Sequence, residues 1–301
     1  MLYDRDTPGD WGTMRPNSPT LATTEMLPMA DGCQIFLRSW QTQSQDVLLL
    51  MHGLGGHSGW YVDMGNELAA RGLTVYALDH RGFGRSQGIP GHIERADRYI
   101  EDLATVVKEI RSRHSVESQS LRVSILGHSM GGIFAAYLAA RHGDLLDGVI
   151  FLNPWVQDHA KPSLSMTFGV LGGGLLGSKR RWRTPGGPQQ MTTNPDAVQM
   201  LESDPYWQRE LTASFLWQIL LMRLQVLKQA SQITLPALVL QANQDKSVVQ
   251  AASHKLYETL ASHDKTWIAY PDYAHDTQLE ANRAQMDQDI VKWLLERAKT
   301  Q

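Results

Sequence analysis

The chain has 301 residues, enough for one large α/β domain or roughly two ordinary ones. Apolar residues make up 42% and charged residues 20%, which excludes the disordered and collagen-like classes. A formal net charge of −3 gives no field to attract nucleic acid, and a single cysteine, Cys33, permits no intramolecular disulfide.

Residues 1–22 carry three prolines with Asp, Asn and Gly and no periodicity, and read as an extended arm. Acidic residues among the first ten and the lack of an apolar core argue against a secretory signal, so a cytoplasmic location is expected. Two strand-like runs follow, 24–29 and 34–40, around Ala30-Asp31-Gly32, an Asp-Gly turn signal for a hairpin. Cys33 is expected to be a small packing residue in a strand. From Val47 onward short apolar runs alternate with helical patterns: VLLLM, LTVYAL, LRVSIL, GVIFL, PALVLQ and KTWIAY. Runs of this kind mark strands buried on both faces, and hence a mostly parallel sheet with helices on either side. The helical patterns fall at about 58–71, 96–114, 130–142, 248–261 and 277–298. The alternation breaks once, between Asn153 and about Ile233, a gap of roughly 80 residues that is far beyond a loop. Its Trp- and Met-rich stretches, such as Phe215 to Leu227, predict a small helical cap. The expected division is therefore a core of residues 23–153 and 233–301 with a cap of residues 154–232.

The strongest chemical signal is Gly127-His128-Ser129-Met130-Gly131, which follows the buried run LRVSIL and opens a helical pattern. This is the strand–turn–helix setting of a nucleophile elbow, whose tight turn admits only glycine at 127 and 131. A serine hydroxyl needs a base, and the base needs an orienting acid. His275, after KTWIAY, and Asp245, after PALVLQ, lie at carboxyl ends of strands on the edge where the elbow emerges, in the chain order Ser, Asp, His. Asp264, Asp272 and Asp276 are the competing carboxylates. Negative charge developing on a carbonyl oxygen needs N–H donors, for which Met130 and Leu54 are the candidates, Leu54 lying in the loop His52-Gly53-Leu54-Gly55-Gly56. His52 is expected to brace that loop. Gly53, Trp60 and His128 flank these groups and are the expected substrate-site residues; Trp60 either gives an apolar mouth or packs a helix start.

With these residues assembled, the sequence resembles the monoacylglycerol lipase and lysophospholipase branch of the α/β hydrolases, the serine aminopeptidase family. The resemblance runs from about residue 24 to 297 through ADG, HGLGGHSGWY, LDHRGFGRSQG, LGHSMGG, SDPYW and the Asp245 and His275 loops. It implies an α/β-hydrolase fold with an inserted helical cap, and hydrolysis of a monoacylated lipid or similar small ester without metal or organic cofactor. Animal lipases of this branch carry Glu and Arg in the loop after His-Gly, associated with glycerol recognition, where this chain has Gly56 and Trp60. Peptidase and thioesterase chemistry would use the same triad, and a ligand receptor could retain it.

In the expected cap, the apolar stretch Ser163 to Gly177 is followed by the basic cluster KRRWR. That pairing suits transient contact with an anionic membrane surface; the competing arrangement folds the apolar segment inward. No stretch approaches the length needed to span a bilayer. Gly172 to Lys179 reads G-x-x-x-x-G-S-K with no strand before it, which rejects a phosphate loop, and residues 53–58 miss the dinucleotide pattern. Histidines 52, 57, 80, 92 and 128 show no metal-ligand spacing, so no metal site is expected.

Overall fold

The computed structural model describes residues 22–114, 121–159 and 162–298, so the arm expected at the N-terminus lies, but for Ala22, outside the described residues. Strands β1 (Thr23–Pro28) and β2 (Gln34–Trp40) form the expected antiparallel hairpin, Thr23 facing Ser39 and Pro28 facing Gln34. Cys33 stands in the connection, one residue ahead of β2 and partly buried against the core, because the backbone is still closing the turn there: Met29 N–H donates to its carbonyl at 2.8 Å.

The chain then alternates through β3 (Asp46–Met51), α1 (Val62–Ala70), β4 (Thr74–Leu78), α2 (Asp97–His114), β5 (Arg122–His128), α3 (Met130–Arg141) and β6 (Gly148–Leu152). Between β6 and the next strand of the sheet lie α4 (Leu164–Leu175), β7 (Arg181–Arg183), α5 (Pro188–Met191), α6 (Pro195–Ser203), β8 (Glu210–Thr212), α7 (Ala213–Leu224) and α8 (Val226–Ala230). The alternation resumes with β9 (Ala237–Ala242), α9 (Gln250–Thr259), β10 (Lys265–Tyr270) and α10 (Ala284–Ala298). The eight-stranded sheet has the order β1-β2-β4-β3-β5-β6-β9-β10, with β1, β2 and β4 paired antiparallel and every other pair parallel. The expected mostly parallel sheet is borne out.

Side chains alternate between two apolar layers, as a strand period of two requires. Val47, Leu49 and Met51 of β3, Val123 and Ile125 of β5, and Val149 and Phe151 of β6 face one layer, with α2 and α3. Leu48, Leu50, Leu126, Ile150 and Leu152 face the other, with α1 and α10. Helix α2 shows the complementary pattern: Tyr99, Ile100, Leu103, Val106, Val107 and Ile110 make one buried stripe.

Three expectations need adjustment. The helical pattern at 58–71 begins as a 3₁₀ turn, Ser58–Tyr61, before α1. The pattern at 277–298 is a 3₁₀ turn, Thr277–Leu279, and a separate α10, because the Glu280 carboxylate is held between Thr193 and the Ala274 N–H, and Glu280 itself turns to extended backbone. The region expected to be helical also contains an antiparallel ribbon, β7 with β8, pairing Arg181 with Thr212. The sequence pattern missed it because three residues per strand carry no measurable period. Among the described residues, no helix is long and apolar enough to cross a membrane.

Candidate active site

The carboxyl ends of β3, β5, β6, β9 and β10 deliver His52, Ser129, Asn153, Asp245 and His275 to one edge of the sheet, where open α/β sheets bind ligands. Ser129 occupies the turn from β5 to α3 with φ +52° and ψ −113°, a conformation that side-chain-bearing residues rarely adopt. The turn is held by Ser129 N–H donating to Leu152 O (3.0 Å) and by Ser129 O accepting from Gly132 N (2.9 Å) and Trp155 N (3.0 Å). It is also tightly enclosed. A Cβ at Gly127 would stand 2.2 Å from Gly131 O, and one at Gly131 2.4 Å from Met51 O, so both positions require glycine.

His275 joins the two partners expected from the sequence. Its Nδ1 is 2.7 Å from Asp245 Oδ2 and its Nε2 2.9 Å from Ser129 Oγ. A carboxylate only accepts, so Nδ1 carries the proton and Nε2 is left to accept from the serine hydroxyl. Burial works against charge on His275, but the Asp245 carboxylate and its hydrogen bond outweigh it and raise the pKa above the ordinary histidine value. For Asp245, burial works upward; the His275 charge and bond, with the Val248 and Ser247 N–H groups on its carboxylate, bring the pKa down. Of the competing carboxylates, Asp264 is paired with Arg297 and Asp276 accepts from Gln278 Nε2 at 2.8 Å.

A further layer, only part of it anticipated, holds the backbone of His275. Its carbonyl accepts from Asn153 Nδ2 (2.6 Å) and His128 Nε2 (3.0 Å). Asn153, fully buried with φ +45°, also accepts from Ala242 N at 2.7 Å, so it ties β6, β9 and the His275 loop together. Burial, helped by the nearby His275, pushes the His128 pKa down to about 3, so His128 is neutral. With Nε2–H donating to a carbonyl, its Nδ1 accepts from the Tyr61 hydroxyl at 3.1 Å. His128, expected at the substrate site, thus lines the cavity while its polar atoms are committed to protein. Asn153 follows the run GVIFL, and that strand-end position was the one signal available for it.

The loop after β3 is braced as expected: His52 Nδ1–H donates to Gly53 O (2.7 Å), and His52 Nε2 accepts from His80 N (2.9 Å). Gly53 and Leu54 line the cavity, and a Cβ at Gly53 would lie 3.1 Å from the Ser129 Cβ. Met130 does not line the cavity. Its side chain is buried in the core, and its N–H is the first of α3, among the groups a helix leaves without an internal partner. Trp60 combines both expected roles: it lines the cavity, and it is 3% exposed within the 3₁₀ turn. Its Nε1 donates to Asp204 Oδ2 (2.6 Å), which also accepts from His57 Nε2 (2.8 Å), so a buried carboxylate of SDPYW bridges two residues of HGLGGHSGWY.

The cavity over Ser129 and His275 holds about 340 Å³ and opens between exposed Arg183, Pro185, Gly186, Gln190 and Lys246. Met166, Val170 and Leu171 of α4 and Leu216 and Leu220 of α7 form an apolar wall. The opposite face of α4 is turned outward, with Leu164 78%, Phe168 71% and Leu175 71% exposed, so the apolar segment is not folded inward as a whole.

The family described as Serine aminopeptidase, S33, matches residues 42–282. Monoacylglycerol lipase of Mycolicibacterium smegmatis is 28% identical over 275 residues, covering 88% of this chain and 94% of the relative. Monoglyceride lipase of Homo sapiens is 28% identical over 278 residues, covering 90% of each. A solved structure of a soluble variant of monoglyceride lipase from Saccharomyces cerevisiae, in complex with a substrate analogue, superposes with a TM-score of 0.84 at 19% identity, covering 94% of this chain and 97% of that one. The monoacylglycerol lipase of Paleococcus ferrophilus gives a TM-score of 0.78 at 24% identity, covering 87% and 99%. The chain belongs to the serine aminopeptidase, S33, family of α/β hydrolases and is a hydrolase.

Proposed function

We propose that the protein hydrolyses carboxylic esters of a single fatty acyl chain through an acyl-enzyme on Ser129. The observation that carries this reading is the continuous hydrogen-bond chain Ser129–His275–Asp245, at the foot of a cavity with an apolar wall. His275 takes the Ser129 proton as Oγ attacks the carbonyl carbon, and Asp245 holds the imidazole in its tautomer and stabilises the cation. The Leu54 and Met130 N–H groups receive the oxyanion. His275 then protonates the leaving alcohol, and a water activated by the same base releases the fatty acid. Gly53 lets the ester approach the serine closely, Trp60 supplies a ring face, and His128 positions the base.

Residues 154–232 are assigned as a cap over a core of residues 23–153 and 233–301, with α4 and α7 forming the acyl wall. The outward leucines and Phe168 of α4, beside the basic Lys179 to Arg183, are assigned as a transient contact with an anionic lipid surface. Aminopeptidase chemistry would need a carboxylate for the substrate amine. Of the two carboxylates lining the cavity, Asp158 is paired with Arg223 and Asp276 is buried against Gln278, which favours an ester. The open mouth favours turnover over retention in a receptor.

Ser129→Ala should lower kcat for a p-nitrophenyl ester series by about 10⁶-fold and abolish labelling by a fluorophosphonate. Near-normal turnover in that variant would remove Ser129 as the nucleophile.

A further inference from the structure

Two tryptophan rings line the cavity at a fixed angle to each other. Trp60 and Trp207 meet edge to face, with centroids 5.9 Å apart and planes at 78°, so together they enclose a corner. Each ring is clamped by a charged group. Trp60 Nε1 donates to the buried Asp204 carboxylate at 2.6 Å, and the Arg209 guanidinium carbon lies 3.9 Å from the Trp207 ring centroid. The backbone beside Trp207 is docked on the loop after β3, where Gln208 N–H donates to Gly55 O at 2.9 Å. Met191 continues the same wall, and its carbonyl accepts from the N–H of Asp276, the residue after the base, at 2.6 Å.

This wall stands opposite the one assigned to the acyl chain. Trp60, Met191 and Trp207 pack with the apolar layer of α1 and α10, and the 3₁₀ turn that carries Trp60 rests on the turn after His275, whereas α7 packs with the layer of α2 and α3. It is therefore the side from which His275 protonates the leaving alcohol. A polyol fits it poorly, because each hydroxyl needs an acceptor for its proton. Among the described residues, the side-chain acceptors beside the rings are engaged: Asp204 Oδ2 by Trp60 and His57, Asp204 Oδ1 by Tyr206 N–H, and His128 Nδ1 by Tyr61. Asp276 is 1% exposed with Oδ1 on Gln278, and Gln190 lies out at the mouth. A third aromatic ring fits well. Rings favour edge-to-face and offset contacts over sandwiches, and a corner near a right angle offers a face and an edge at once, with the Met191 thioether beside them. Two rings already clamped lose little freedom when a ligand arrives.

We propose that the cavity selects fatty acyl esters whose alcohol carries an aromatic ring, with the acyl chain along α4 and α7 and the ring in the corner of Trp60 and Trp207. Asp204 and Arg209 are the positioning residues of that corner, each acting through the tryptophan it holds. The reaction is the hydrolysis already assigned to this site, and the proposal rests on that reading. The acyl C–O bond breaks, and water supplies hydroxyl to the acyl carbon and a proton to the oxygen of the leaving alcohol.

The test compares kcat/KM for one medium-length acyl chain on 2-phenylethanol, 2-cyclohexylethanol and glycerol, three unactivated alcohols, all as monomeric esters. The phenylethyl ester should exceed the glycerol ester by about tenfold or more, and the cyclohexylethyl ester, similar in bulk, by about threefold. Trp207→Leu should bring the two ring-bearing esters together, Trp207→Phe should restore part of the difference, and Arg209→Gln, which releases the ring, should narrow it. If the Trp207 variants fail to fold, inhibition of the wild type gives the reading: free 2-phenylethanol should compete with a p-nitrophenyl ester at about threefold lower concentration than 2-cyclohexylethanol. A wild-type preference for the glycerol ester, equal values for the two ring-bearing esters or equal inhibition by their alcohols, or a phenyl preference unchanged in Trp207→Leu overturns the proposal. Fluorophosphonate labelling of Ser129 in the same samples separates the two readings. Labelling and ester turnover without phenyl preference reject only the ring corner, whereas no labelling and no turnover of any ester reject the serine hydrolase itself.

Discussion

His275 stands under two opposed influences. Its enclosure disfavours the imidazolium, while the Asp245 carboxylate at 2.7 Å favours it more strongly, so its pKa lies above that of a free histidine. The proposed base works only when neutral, so activity should rise with pH as this group loses its proton. The acid limb of kcat/KM, which reports the free enzyme, should therefore have its midpoint above about 6.5. Asp245→Asn removes the influence that raises the pKa. The midpoint should move to lower pH while kcat falls by about 10⁴-fold, because the amide no longer enforces the tautomer. An unshifted midpoint in that variant would mean that another group sets the histidine's charge. Asp276, next in the chain, is a separate case: burial pushes its pKa up to about 6, yet it makes no hydrogen bond to the His275 ring.

Among the elements, α4 divides its sides between two environments. Met166 and Val170 face the cavity, while Leu164, Phe168 and Leu175, spaced four and seven residues apart, form a stripe turned to solvent, with Leu171 on the same stripe half-exposed at the edge of the cavity. A solvent-facing apolar stripe suits the lipid contact proposed for this helix. Phe168→Ser with Leu175→Ser should weaken co-sedimentation with anionic vesicles by about tenfold or more, since each side chain contributes about 1.5–3 kcal/mol when buried. Wild-type protein remaining in the supernatant at physiological salt would reject the lipid contact. The strand ends behave differently. Ser129 and Asn153 hold φ of +52° and +45° because neighbouring strands hydrogen-bond to them on several sides.

At the scale of the whole molecule, the region between β6 and β9 is attached where the chemistry is. Asp204 accepts from His57 and Trp60 with one oxygen and from Tyr206 N with the other, Gln208 N–H reaches Gly55 O, and Thr193 is bonded to Glu280 five residues after His275. Burial acts to raise the Asp204 pKa, but its partner His57 and the donors around it bring it well below the usual carboxylate range, so Asp204 is ionised. Asp204→Ala leaves the His57 and Trp60 donors buried without an acceptor. Urea unfolding should show a loss of about 2–4 kcal/mol. If the loop after β3 depends on this anchor, kcat should fall in conditions where the variant is fully folded; unchanged kcat would show that the loop holds its shape without it.

The sequence by itself determined the alternation of strands and helices, the elbow with its two obligatory glycines, and which strand ends would carry Ser129, Asp245 and His275. Those features are local: buried runs, tight turns and chain order are written in neighbouring residues. It expected Asp245 to meet His275 ahead of three competing carboxylates in the same third of the chain, and the contact itself is made by folding. It missed Asn153 and Tyr61 as supports around His275 and Asp204 as the anchor of the loop after β3, because their partners lie 67 to 147 residues away, His128 for Tyr61 and His57 for Asp204 among them. The ribbon that pairs Arg183 with Glu210, and the outward turn of α4, were likewise decided by tertiary structure. Three-residue strands have no period to read, and an apolar helix does not state which of its faces will find a partner.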